Sequence, residues 1–190
     1  NRDVGLSSKT RGNPPIFRSA LERMLYTDKP AVNSAYELTD MAQDCLVVLD
    51  ETATKRAHIW GVSMGGMIAQ TFAAIYPDRT ETLTSVMSTT GNPLVGQPTS
   101  VALEALSRNA AGETREEITS ELVHASELYS GDLFDSISAR IIIEEAYDRC
   151  YCPDGMAFQM AAIASSGDRT EMLKAIIAPT FVIHGSKDPL

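Results

Sequence analysis

Gly61-Val62-Ser63-Met64-Gly65-Gly66 follows the apolar run Ala57-His58-Ile59-Trp60 and leads into Met67-Ile68-Ala69-Gln70-Thr71-Phe72-Ala73-Ala74. The order is a short strand, a tight turn and a helix, with G-x-S-x-G at the turn, which is the pattern of a nucleophile elbow. At ordinary Gly and Ser usage the bare motif arises by chance in about one chain in fifteen of this length, so its flanks carry the reading. A strand that feeds a helix through so tight a turn forces the central residue into a sparsely populated backbone conformation. Side chains two positions to either side are expected to collide across the turn, and Gly61 and Gly65 remove them. Ser63 is then raised to the tip, and the Met64 N–H heads the helix, aimed where an oxyanion would form and aided by the helix dipole. The competing structural reading is a Gly-rich turn whose serine only caps the helix.

Outward from the elbow, the pattern is alternating strand and helix. Residues 1–34 are polar and turn-rich, with one short helix expected around Phe17–Tyr26. Leu38, Met41, Ala42, Cys45, Val48 and Leu49 recur at helix spacing over 38–52, with Asp40 in the first turn. A strand is expected over 56–62, and the elbow helix stops at Tyr76-Pro77. A second strand runs over Thr82–Met87 into Ser88-Thr89-Thr90-Gly91-Asn92-Pro93. Residues 98–166 then read as four helices (99–110, 115–129, 133–149, 154–165), Thr114 and Glu117 forming a capping box for the second. A short helix near Glu171–Ile177 and the strand Thr180-Phe181-Val182-Ile183-His184 close the chain. Such alternation implies a mainly parallel sheet covered on both faces, with the site at the carboxyl ends of its strands. Ser63 lies past one strand end and Asp188 past another.

Composition narrows the partners. The chain has 190 residues, 44% hydrophobic and 22% charged, with a formal net charge of −9. An acidic surface disfavours nucleic acid and anionic membranes. No apolar run reaches 18 residues, so no membrane span is expected. Three cysteines, Cys45, Cys150 and Cys152, favour a reducing, cytoplasmic compartment. Cys150-Tyr151-Cys152 lacks a second ligand pair, so no metal site is expected.

Asp188, after His184-Gly185-Ser186-Lys187, fits the order Ser…Asp…His as the acid that orients an imidazole, or is a turn aspartate before Pro189. The three histidines, His58, His124 and His184, read as structural or surface residues. The order rule places the base after Asp188, and so outside these 190 residues.

The elbow, Tyr76-Pro77-Asp78-Arg79, Met87-Ser88-Thr89-Thr90-Gly91, Ser166-Gly167-Asp168-Arg169-Thr170 and the stretch from Pro179 to Pro189 together resemble the α/β-hydrolase superfamily. More narrowly they resemble serine esterases related to aclacinomycin methylesterase. The resemblance implies an α/β-hydrolase fold, a three-layer αβα architecture around a mainly parallel sheet, incomplete here, with a helical lid. Residues 1–97 and 167–190 would form a partial core and 98–166 the lid, and the chain looks truncated at both ends. Ser63 would be the nucleophile, Met64 the backbone oxyanion donor and Asp188 the triad acid. A second donor and the base would lie outside the chain.

The activity implied is hydrolysis of a carboxylic ester of a small or medium apolar substrate, without cofactor or metal. Met156, Phe158, Met160 and Ile163 would offer an apolar substrate face. Alternatives are a cofactor-free haloperoxidase-like or acyl-transferring member, or a non-catalytic binding protein or inactive fragment. Oligomeric state is not legible. With a base and sheet neighbours missing, the isolated chain is expected to be inactive and poorly soluble.

Overall fold

A computed structural model describes residues 1–26, 28–108 and 112–190. Three strands, β1 (Ala57–Val62), β2 (Thr80–Val86) and β3 (Thr180–Ile183), form a parallel sheet in the order β1-β2-β3. Val62 pairs with Val86 and Val86 with Ile183, so the three strands end level. The residues that follow them, Ser63, Met87 and His184, therefore emerge along one rim.

Helix α3 (Met64–Ile75) packs on β1 and β2. It is apolar nearly all round, as a helix clasped on several sides must be. Ala69 and Ala73 meet Leu83 and, at the margin, Ile59 and Ile176. Beyond it lies α2 (Leu38–Glu51), whose first turn is closed by the Glu37 N–H donating to Asp40 Oδ2 at 2.7 Å. Tyr36, Leu38 and Met41 join Met67 and Ile68 of α3 in the main core.

Among the described residues, the expected cover on both sheet faces is found on one only. Trp60 and Phe181, in register across Thr84, lie on the opposite face and are 66% and 64% exposed. A parallel sheet is ordinarily clothed on both sides. The chain's one tryptophan thus reports on this face. Its emission should be that of a water-exposed indole, open to collisional quenching. A blue-shifted, quencher-resistant spectrum would show that the face is covered.

The helical block appears as α4 (Ser100–Arg108), α5 (Arg115–Ser130), α6 (Ser136–Cys150) and α7 (Pro153–Ser166), with α1 (Phe17–Leu25) before them in the chain. The expected end of α4 at 110 falls outside the described residues. The Thr114–Glu117 capping box is present, the Glu117 N–H donating to Thr114 Oγ1 at 3.2 Å. Helix α7 lies against α1 and α2, and Phe158, Ala162 and Ile163 enter the main core. Its C-terminal end is tied to α2 through Ser166 Oγ, which accepts from the Leu38 N–H at 3.0 Å.

The last helix is shorter than expected. Helix α8 covers Thr170–Leu173, and residues 174–176 continue as tighter i→i−3 turns. Pro179 disfavours helix at the residue before it, which ends the run. The buried, left-handed Asp3 anchors the N-terminal segment, accepting from the Tyr36 hydroxyl at 2.7 Å and Thr10 Oγ1 at 2.9 Å. Among the described residues no helix is long and apolar enough to cross a membrane.

Candidate active site

Ser63 stands between β1 and α3 with φ 54° and ψ −120°, a conformation that costs a non-glycine residue about 1–3 kcal/mol. Its backbone is fixed from both sides. The Ser63 N–H donates to Val86 O at 2.9 Å, and Ser63 O accepts from Gly66 N and Met67 N at 2.9 and 3.2 Å. Its side chain makes no capping bond and is exposed, so the structure rejects the reading of Ser63 as a mere helix cap. The Met64 N–H belongs to the first turn of α3, where amides lack intrahelical acceptors.

The steric reading of the glycines holds for one and needs correction for the other. A Cβ at position 61 would lie 2.0 Å from the Gly65 carbonyl oxygen, so only glycine fits. A Cβ at 65 would meet nothing within 4 Å. The crowded glycine on the helix side is Gly66, where a Cβ would lie 2.6 Å from Ser88 Cβ. We therefore expect Gly61→Ala to destabilise the fold by about 3 kcal/mol or more. Gly65→Ala should be neutral or stabilising by up to about 1 kcal/mol, through helix propensity. Thermal denaturation of the two variants checks the contrast.

Asp188 reaches the same rim from β3. Its Oδ1 accepts from the Leu190 N–H at 3.0 Å and its Oδ2 lies 3.1 Å from His184 Nε2. The carboxylate is 13% exposed. Ser63, Met64, His184 and Asp188 all line one cavity of about 630 Å³. Its walls come from α1 (Met24, Leu25), the loop after β2, and Leu106, Tyr129, Met160 and Ile163 of the helical block. Burial raises the Tyr129 phenol above its usual range.

Three features were not evident from sequence. His184 lies one residue past β3, not inside it, and faces the cavity beside Asp188. Met87 adopts φ 39°, ending β2 one residue earlier than expected and turning a second strained residue toward the site. The loop after Met87 is held from behind by the buried Arg169, whose Nη2 donates to Thr89 O at 2.7 Å and whose N–H donates to Thr90 O at 2.9 Å. Burial lowers this guanidinium to about 10, so it remains charged at neutral pH.

Of the expected apolar face, Met160 and Ile163 line the cavity. Phe158 instead packs in the main core, and Met156 is exposed outside the lining. His58 Nδ1 lies 2.9 Å from Thr82 Oγ1, and His124 sits by Glu127 on α5, so neither joins the site. Among the described residues no three His, Cys, Asp or Glu side chains are grouped to hold a metal.

A family model described as alpha/beta hydrolase fold matches residues 24–190. A 2-hydroxy-6-oxononadienedioate/2-hydroxy-6-oxononatrienedioate hydrolase from a Pseudomonas species is 27% identical over 93% of this chain and 64% of its own length. A solved hydrolase structure from Pseudomonas aeruginosa has a TM-score of 0.60 at 22% identity, covering 97% of this chain and 59% of that one. An enol-lactonase from Burkholderia xenovorans gives 0.59 at 22%, covering 83% and 56%. The chain thus spans less than two thirds of the length of each. The two structural likenesses bear on fold alone.

Proposed function

The chain belongs to the alpha/beta hydrolase fold family, and on that premise we propose that the full-length protein is a serine hydrolase cleaving a carboxylic ester of a small or medium apolar substrate. The observation that carries this is Ser63: strained, uncapped, exposed at the elbow and in one cavity with Asp188. The roles proposed are Ser63 as nucleophile, the Met64 N–H as oxyanion donor and Asp188 as the acid orienting a histidine base. Attack on the ester carbonyl gives an acyl-enzyme with loss of the alcohol, and water then releases the acid. An oxyanion donor of this kind is worth about 10²–10³ in rate. Helices from 98–166 would act as a lid, a role supported by Leu106, Tyr129, Met160 and Ile163 in the cavity wall.

In the order Ser…Asp…His the proposed base is a histidine that follows Asp188 in the full-length protein. A second reading rests on one contact, His184 Nε2 at 3.1 Å from Asp188 Oδ2, which would make His184 the base. We expect His184→Gln in the full-length protein to hydrolyse p-nitrophenyl acetate within about tenfold of the parent rate. A loss of about 10³-fold or more, the size of a missing general base, would assign the base to His184. Absence of ester turnover in the parent protein would refute the proposed activity.

A further inference from the structure

Five of the chain's eight methionines, Met24, Met64, Met67, Met87 and Met160, line the cavity that holds Ser63. They come from α1, α3, the end of β2 and α7, so they are not a stripe that a single amphipathic helix would bury by periodicity. Core packing accounts for Met67, which is buried in the main cluster, and in part for Met24 and Met64 at its margin. It does not account for Met87, which is 47% exposed and lies outside the core clusters.

Met87 has a second peculiarity. It holds φ 39°, a conformation unfavourable for any side chain but glycine, while its N–H donates to Ile183 O at 2.8 Å. Strain maintained beside a reactive residue is a pointer to function when the surroundings enforce it. Here it sets a long, flexible thioether at the cavity rim, one strand over from Ser63.

Thioether sulfur is polarisable and gains contact energy against the face or edge of a flat ring beyond what area burial supplies. Among the described residues the lining contains no phenylalanine or tryptophan to use that capacity, and Tyr129 and His184 are its only aromatic rings. Among the described residues it contains no lysine or arginine either, while Asp188 is there to repel an anion.

We propose that the cavity selects a flat, uncharged aromatic or conjugated group on its ester, with Met87 as the residue that sets this preference. The proposal rests on the hydrolase reading and names its substrate class. It sets this site apart from the dioate named for the Pseudomonas relative.

The test measures binding without turnover. In the full-length Ser63→Ala protein, the dissociation constants of methyl 2-naphthoate and its saturated decahydro counterpart are compared by calorimetry. The saturated ester is the more hydrophobic, so burial alone favours it. We expect the naphthoate to bind about tenfold more tightly, and Met87→Leu to cut that ratio about threefold or more, with the saturated ester nearly unaffected. Met160→Leu, on an unstrained helical backbone, should cut it by a smaller factor and guards against a folding defect at position 87. Equal affinities, a ratio that survives Met87→Leu, or no saturable binding of either ester would overturn the proposal. A protein that binds with this preference yet, with Ser63 intact, fails to hydrolyse the naphthoate would overturn the hydrolase reading alone.

Discussion

Replacing Ser63 by alanine in the full-length protein will lower kcat for ester hydrolysis by about 10⁴- to 10⁶-fold, the scale on which a serine nucleophile acts. The fold should be almost untouched, because the Ser63 hydroxyl makes no capping bond and is exposed. What remains strained is the backbone, clamped by Val86 O on one side and the first turn of α3 on the other. A steady-state assay, paired with a melting curve, separates the two effects. A fall in rate of less than tenfold at unchanged stability would mean that attack does not come from Ser63.

Asp188→Asn is the second large effect. An amide of the same shape keeps an acceptor for the Leu190 N–H, so the loop after β3 should hold. It loses the charge that stabilises an imidazolium and presents an N–H where a carboxylate should accept one. In serine hydrolases the corresponding change costs about 10⁴ in kcat, and we expect a loss of about 10³–10⁴ here. A turn aspartate, the competing reading of this position, would cost under tenfold. The pair also should not add: once Ser63 is gone, losing Asp188 should cost little more, since the two act as a unit.

What the sequence disclosed and what it hid divide by range. The elbow was legible because strand, turn and helix are contiguous, and one glycine-serine pattern fixes them. Gly61 was assigned correctly because its crowding comes from four residues away in the chain. Gly66 was overlooked because what it clears is Ser88, brought in by β2. The same limit hid the cavity. Residues 1–34 read as loop with a short helix, yet Met24 and Leu25 form one wall. Met87 read as the last residue of a strand, since nothing local announces a left-handed methionine. The apolar face of α7 was half right because periodicity groups residues without saying which neighbour each side meets. Met160 and Ile163 line the cavity, whereas Phe158 belongs to the main core and not to the lining. His184 read as a strand residue because its apolar run continues to it, whereas the sheet pairing stops at Ile183.

The bare sheet face is a further case. An alternating pattern implies cover on both sides, but it cannot say which cover these residues supply. Among the described residues it is supplied on the α3 side, while Trp60 and Phe181 on the other side are exposed.

The most direct measurement is to treat the full-length protein with a fluorophosphonate and map the adduct by peptide mass spectrometry. The account predicts one modified residue, Ser63, with labelling lost in Ser63→Ala and slowed in Asp188→Asn. An unmodified protein, or an adduct on another serine, would contradict the claim that Ser63 is the nucleophile.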